Sequence, residues 1–328
     1  MARRLARLFA LFLTLGLIVT GIAFGWGYAQ FTRPGPNTFD HAVVLAKGSD
    51  LRDIAERLAG AGIFEQPLVF RLGVRLGGWS RDLKAGEFHF PARTSMRGAV
   101  DILRLGETVV RRVTVPEGLS SAQIVALLQQ TDGLRGDIGN IPGEGSLLPE
   151  TYHYSYGDER VAMLARMTEA MHQTLAKLWP VRQRGLPLAS KGEALILASM
   201  VEKETSIGVE RPRVAGVFIN RLQKGMRLQS DPTVIYGLTL GRKALGRPLR
   251  RADLDQHTTY NTYRIPALPP GPIANPGRAA LHAVLHPTAS KDLYFVANGT
   301  GGHAFAATFA QHRRNVQRWR RAKATKTR

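Results

Sequence analysis

Apolar positions fall into three kinds of pattern along this chain. The first is unbroken. From Leu8 to Thr32 no side chain is charged, and a helix over that run rises roughly 37 Å at about 1.5 Å per residue. A bilayer core is about 30 Å thick, so the run predicts a spanning helix with some tilt. The second pattern is short. Val43-Val44-Leu45 reads as a strand, Lys47-Gly48-Ser49 as a turn, and Leu51, Ile54, Ala55 and Leu58 as one face of a helix that Gly60 and Gly62 stop. Glu87-Phe88-His89-Phe90 alternates polar and apolar residues, and Met96 to Leu105 predicts a helix capped by Thr94 or Ser95. The strand, turn and helix order then recurs in Val113-Thr114-Val115, Pro116-Glu117-Gly118, and Ile124 with Leu128, where Ser120 and Gln123 have capping-box spacing.

The third pattern belongs to longer helices. Glu159 to Leu178 carries Met163, Met167, Met171 and Leu178 along one face, a stripe that reads as core. Ala194 to Val201 is apolar nearly all round, so a helix there is buried on most sides. A further helix has Pro212 in its first turn, Val214, Val217, Phe218 and Leu222 on one face, and Gly225 as its stop. Breaker-rich stretches at 32–40 and 132–145 separate these groups. The predicted organisation is an N-terminus over residues 1–7, a transmembrane helix over 8–32, a small α+β domain over 40–135, a mixed α/β domain over 144–312 and a basic tail over 313–328. The fold class is α+β.

Charge orients the anchor. Arg3, Arg4 and Arg7 precede the apolar run and only Arg33 closely follows it, which places residues 1–7 in the cytoplasm and the rest outside. Trp26 and Tyr28 sit where an interfacial aromatic belt belongs. A cleaved signal peptide would have a shorter apolar core ending in a small-x-small site, whereas this run ends Gly-Tyr-Ala-Gln-Phe. The net charge of +20 fits an anionic partner, and part of it is the acid-free segment 313–328, read as a solvated tail. No nucleic-acid motif accompanies the charge, so nucleic acid is not expected as a partner. Absence of cysteine removes disulfides, thiolate sites and a cysteine nucleophile. With histidines scattered and no phosphate-binding glycine loop, neither a metal nor a cofactor is expected.

Chemistry concentrates at the end of the buried helix, in Glu202-Lys203-Glu204. Residues two apart lie about 200° around a helix, so the two glutamates cannot share a face. A carboxyl there can have its pKa raised by desolvation, as a general acid near neutral pH requires. The same three residues also read as the solvated end of a core helix, and spacing alone favours that reading.

The two strand-turn-helix units resemble the small LysM-like modules that bind N-acetylglucosamine-containing glycans; two ordinary packing units would look alike. A more extensive resemblance lies downstream. Leu197-Ala-Ser-Met-Val-Glu-Lys-Glu-Thr205, Val217-Phe-Ile-Asn-Arg-Leu222, Met226-Arg-Leu-Gln-Ser-Asp-Pro-Thr-Val-Ile-Tyr-Gly237 and Tyr260-Asn-Thr-Tyr263 come in order, followed by Leu268-Pro-Pro-Gly-Pro-Ile-Ala-Asn-Pro-Gly277, Leu293-Tyr-Phe-Val-Ala-Asn-Gly299 and Gly302-His-Ala-Phe305. Together they resemble the membrane-anchored endolytic murein transglycosylases, the YceG-like family, over most of residues 144–312. The resemblance implies a lyase of the inner membrane that cleaves the MurNAc-GlcNAc β-1,4 bond within nascent peptidoglycan strands, leaves 1,6-anhydro-MurNAc ends and so terminates elongation. It implies peptidoglycan and penicillin-binding synthases as partners. Glu204-Thr205 is similar to the Glu-Ser pair of other lytic transglycosylases, which favours Glu204 as the acid. Asn220, Gln229, Asp231, Tyr260, Asn261 and Tyr263 become candidate substrate-binding residues. Glu144, Glu150 and His303 are left without a fixed role; the family often has aspartate where Glu150 stands. A membrane-anchored glycan-binding scaffold without catalysis is the competing expectation.

Overall fold

A computed structural model describes residues 2–326 of the chain. Met1 and residues 327 and 328, the extreme ends of the expected cytoplasmic segment and basic tail, lie outside the described residues. The chain forms two compact units, one of residues 1–111 and 153–158, the other of 112–152 and 159–328. The long segment of the first unit runs to Arg111, and the unit also takes residues 153–158.

The first unit opens with helix α1 (Ala2–Thr32). Residues 7–32 of it are long and apolar enough to cross a membrane, and apart from Phe31 no residue of that stretch is buried by the protein. Strand β1 (His41–Leu45) follows, then α2 (Leu51–Gly60), α3 (Pro67–Leu76), β2 (Gly86–Phe90) and α4 (Met96–Leu105). Strands β1 and β2 pair antiparallel with Val43 opposite Phe88. The core takes Leu45, Leu58, Phe70, Phe88, Phe90 and Leu103, and Phe31 from the last turn of α1 joins it. Asp50 and Asp53 make a reciprocal capping box that starts α2, and Ser95 caps α4. Helix α3 has no counterpart among the sequence expectations. Its buried residues are only Phe70 and Val74, one turn apart, too few apolar contacts to stand out against exposed leucines. Glu87 also departs from simple alternation. It is buried because Arg111 donates to both of its oxygens, at 2.6 and 3.2 Å.

Strand β3 (Val110–Thr114) and strand β4 (Thr151–Ser155) are where the chain leaves the first unit and briefly returns. In the second unit come α5 (Ser121–Gln130), α6 (Arg160–Leu178), α7 (Lys191–Glu204), α8 (Arg211–Gln223), α9 (Asp231–Thr239), α10 (Arg251–Asp255), α11 (Arg278–Leu285), strands β5 (Tyr294–Ala297) and β6 (His303–Ala306), and α12 (Phe309–Lys326). Helix α5 starts at the capping box of Ser120 and Gln123. It belongs to this unit through its C-terminal carbonyls, since Arg160 of α6 donates to Leu128 O and Gln129 O. Helix α7 is the central element: Leu197, Ala198, Met200 and Val201 are fully buried among Val214 and Phe218 of α8 and Leu281, Val284 and Leu285 of α11. The basic segment expected as a solvated tail is helical as far as Lys326. Asn315 of α12 is buried and donates to Phe305 O, and His312 stacks on Tyr294 with ring centroids 5.1 Å apart.

Candidate active site

Helix α7 is held at both ends. Ser190 caps its start by accepting from Glu193 N. Midway, Ser199 Oγ accepts from Ile273 N at 2.9 Å, so the helix cannot slide relative to the segment before α11. Its last turn then presents two carboxyls to different surroundings, as the 200° separation requires.

Glu202 faces an ionic cluster. Its Oε1 accepts from Arg211 Nη2 at 2.8 Å and its Oε2 from Gly277 N at 2.9 Å. Arg211 also donates to Glu117 at 3.0 Å, bridging the two acids. Glycine at 277 leaves room for the Glu117 carboxyl, since a Cβ there would lie 1.7 Å from Glu117 Oε1 and displace that side chain. Burial pushes the pKa of Glu202 up, with the Gly277 N–H opposing it. Both of its oxygens are committed within the protein. Lys203, between the glutamates, donates to Gly118 O at 3.0 Å.

Glu204 is the last residue of α7 and has a single neutral donor, Ser230 Oγ, at 2.5 Å from its Oε1. Ser230 stands at the N-cap of α9 and would ordinarily cap its own helix. No such cap bond forms, and its hydroxyl goes to Glu204. Burial raises the pKa of Glu204 to about 7; the Ser230 bond and positive charge at His303 and Arg221 pull it down, and Asp231 pushes it up. The helix C-terminus, with its partial negative charge, also favours the protonated form. Glu204 is therefore a carboxyl whose proton is held well above the usual carboxylate range.

Three groups shape the wall around it. Arg221 is buried on α8 and donates to Leu228 O and Leu293 O at 2.7 Å each. Asp231, exposed at the first turn of α9, accepts from Tyr263 Oη at 2.6 Å. His303 on β6 has Nδ1 2.7 Å from Glu210 Oε2, and its N–H donates to Glu210 Oε1.

The remaining candidate residues divide by what their polar atoms do. Asn220 Nδ2 donates to Ser290 O and Asp292 O, both at 2.9 Å. Asn261 is fully buried, donates to Leu254 O and Gln256 O, and accepts from Tyr263 N. These two amides fasten loops, and Asn261 thereby positions Tyr263. Gln229 is exposed and held in the left-handed region at φ 53°, with its N–H on Thr262 O. Tyr260 is half-buried and packs on Tyr236 with ring centroids 4.8 Å apart.

A model of the YceG-like family matches residues 43–318. The chain belongs to the YceG-like family. It is 28% identical over 306 residues to the endolytic murein transglycosylase of Bacillus subtilis strain 168, covering 84% of this chain and 83% of that protein. It is 27% identical over 354 residues to the endolytic murein transglycosylase of Streptococcus pneumoniae serotype 2, covering 92% of this chain and 63% of that longer relative. Among solved structures, a YceG-like protein from Listeria monocytogenes matches with a TM-score of 0.53 and 28% identity, over 84% of this chain and 98% of that one. The resemblance seen in the sequence is thus a family membership, and the chain is an enzyme of that family.

Within this YceG-like protein the other two carboxyls named from sequence have separate settings. Glu144 accepts from Ser121 N at 2.8 Å and Asn275 Nδ2 at 3.1 Å, and is hydrogen bonded to Tyr236. Burial raises its pKa. Glu150 is ion-paired with Arg278, which also donates to Thr174 Oγ1. Sequence reasoning missed Ser230, Arg221 and Glu210 as neighbours of the site. Arg221 carried a usable signal, because it occupies a buried-face position of α8 one turn after Val217 and Phe218. Ser230 and Glu210 carried none.

Proposed function

We propose that this chain is an endolytic murein transglycosylase in which Glu204 acts as the sole acid and base. The observation that carries the proposal is a half-buried carboxyl at the end of α7, held by one neutral hydroxyl and with no ion-pair partner among the described residues, and its burial raises its pKa. The names of its relatives supply the substrate class. Protonated Glu204 donates to the glycosidic oxygen as the bond from C1 of MurNAc breaks. The 6-hydroxyl of the same sugar then attacks C1 and gives its proton to the Glu204 carboxylate. The proton balance closes, no water enters, and the new end is 1,6-anhydro-MurNAc. Ordinary glycosidases need a second carboxylate as nucleophile or base; here the sugar's own hydroxyl replaces it.

Gln229, Asp231, Tyr260 and Tyr263 are proposed to bind the strand, because they combine exposure or partial burial with free polar or aromatic faces. Asn220 and Asn261 support the same cleft through its loops. In this reading α1 is a cytoplasmic-membrane anchor with the N-terminus inside, and the strand-turn-helix of β1 and α2 is a LysM-like holder of glycan. The substrate is nascent strand, cleavage ends its elongation, and the neighbours at that place are penicillin-binding synthases.

The test is to incubate the full chain in detergent with uncrosslinked glycan strands and weigh the products beside Glu204→Gln. Internal fragments with anhydro ends, absent with the variant, are expected. Fragments heavier by one water would instead show a hydrolase. Intact strands that remain bound to both proteins would favour a binding scaffold.

A further inference from the structure

Helix α3 is two-faced in an unusual direction. Phe70 and Val74 face the core of the first unit, while Leu68, Leu72 and Leu76, four residues apart, form an exposed line with 62%, 49% and 76% of their surface open. Polar residues belong on the outer face of a soluble amphipathic helix. The leucine line here does not face open surface alone. It forms one wall of a cavity of about 710 Å³ whose opposite wall is the second half of α1, through Thr20, Phe24 and Gly27.

The two helices are locked in this relation. Phe31 of α1 is buried against α3, where a Cβ at Gly73 would lie 2.4 Å from the phenylalanine ring. If the hydrocarbon region begins near Leu8, about 30 Å of helix brings it to the level of Tyr28. Thr20 then lies roughly 12 Å below that level, so the groove reaches to the depth of acyl chains. The rim has the chemistry of a lipid interface. Trp26 and Tyr28 of α1 and Trp79 beyond α3 all line the groove, and aromatic rings of this kind concentrate at the headgroup level. Arg97 also lines it, its guanidinium 4.3 Å above the Trp79 ring. Arg71 and Arg75 flank the leucine line in sequence, and long basic side chains beside an apolar helix face are able to reach headgroups.

We propose that α3 is a membrane-seated helix. Its leucine line enters the outer leaflet beside the anchor, a phospholipid acyl chain fills the groove between α1 and α3, and Arg71, Arg75 and Arg97 meet anionic headgroups. The inference rests on the reading of α1 as a spanning anchor. Its occupant is argued from continuity, since the groove is an extension of the surface that the anchor already gives to lipid.

The chain has no cysteine, which permits single labels without further substitution. Leu15→Cys and Leu72→Cys, each in the full chain, would be spin-labelled and placed in nanodiscs of phosphatidylethanolamine and phosphatidylglycerol. Relaxation by oxygen, which concentrates in lipid, is compared with relaxation by a water-soluble nickel chelate. Both labels are expected to be accessible to oxygen and shielded from the chelate, with Leu72 nearer the headgroups than Leu15. A shielded Leu15 label with a chelate-accessible Leu72 label overturns the seating of α3 while sparing the anchor. A chelate-accessible Leu15 label means the anchor reading has failed, and this proposal with it. Strong coupling between Leu72 labels of two chains in one disc would put a second copy in the groove and equally overturn it.

Discussion

The two carboxyls that end α7 stand two residues apart and live in opposite electrostatic regimes. Glu202 has both oxygens engaged, one by Arg211 and one by the backbone N–H of Gly277. Glu204 has a hydroxyl for a partner and its positive neighbours at a distance. Burial raises both pKa values, so burial alone does not distinguish them. The difference lies in the partners: Glu202 meets a cation and a backbone donor, one on each oxygen, whereas Glu204 has a neutral hydroxyl on Oε1. A general acid needs that second arrangement, and an ion pair that joins three segments of chain needs the first.

Removing each group should separate these roles. The largest effect is expected from Glu204→Gln, which should lower the turnover of glycan strands by about 10²–10⁴-fold, the usual range for one acid-base group, with little loss in thermal stability. Conversely, Arg211→Met leaves Glu202 and Glu117 facing each other without their cation. Breaking a buried pair in this way costs on the order of 3–5 kcal/mol, read as a fall in Tm, while product ends stay anhydro. If the two variants exchanged phenotypes, the assignment of acid and structural carboxyl would have to be reversed.

The pH profile sharpens the contrast further. Activity that requires protonated Glu204 should fall about tenfold per pH unit above about 7. Stability carries the same signature. The folded pKa is raised above the ordinary glutamate value of 4.5, so the folded state holds the proton more tightly than the unfolded chain. The stability of the wild type relative to Glu204→Gln should therefore be greatest below 4.5 and decline as pH rises through about 7. Parallel Tm curves for the two proteins from pH 4 to 9 would contradict the raised pKa. The smallest expected effect is that of Ser230→Ala. Its hydroxyl lowers the pKa of Glu204, so its loss should move the alkaline limb of the activity profile upward and reduce maximal turnover only several-fold.

Several elements were legible from periodicity for reasons that the fold makes plain. The run Ala194 to Val201 is apolar on all sides because α8 and α11 both cover it. The methionines of α6 and the stop at Gly225, whose φ is +66°, follow from the same local rules. Helix α3 was not legible, since its outward leucines blur the one-sided pattern that marks a helix of a soluble domain. The helical state of the basic end was hidden too. Its dense positive charge reads as solvated tail, and it is ordered by contacts that include an asparagine on a strand carbonyl and the rings of Phe309 and His312 on Tyr294. The boundary near Arg111 rested on contacts such as Arg160 with the end of α5, between residues more than thirty positions apart.

By itself the sequence determined the apolar run able to span a bilayer, the buried helix, and the rule that Glu202 and Glu204 point apart, because each depends only on composition and helical geometry over a few turns. Its ordered motifs also gave the family. Tertiary structure alone decided which partners each glutamate meets. Arg211, Gly277 and Ser230 come from different loops and helices, and no local spacing records that one brings a cation, one a backbone donor and one a neutral hydroxyl. Those partners fix the charge each carboxyl can hold, and it is by that charge that Glu204 is read as the acid.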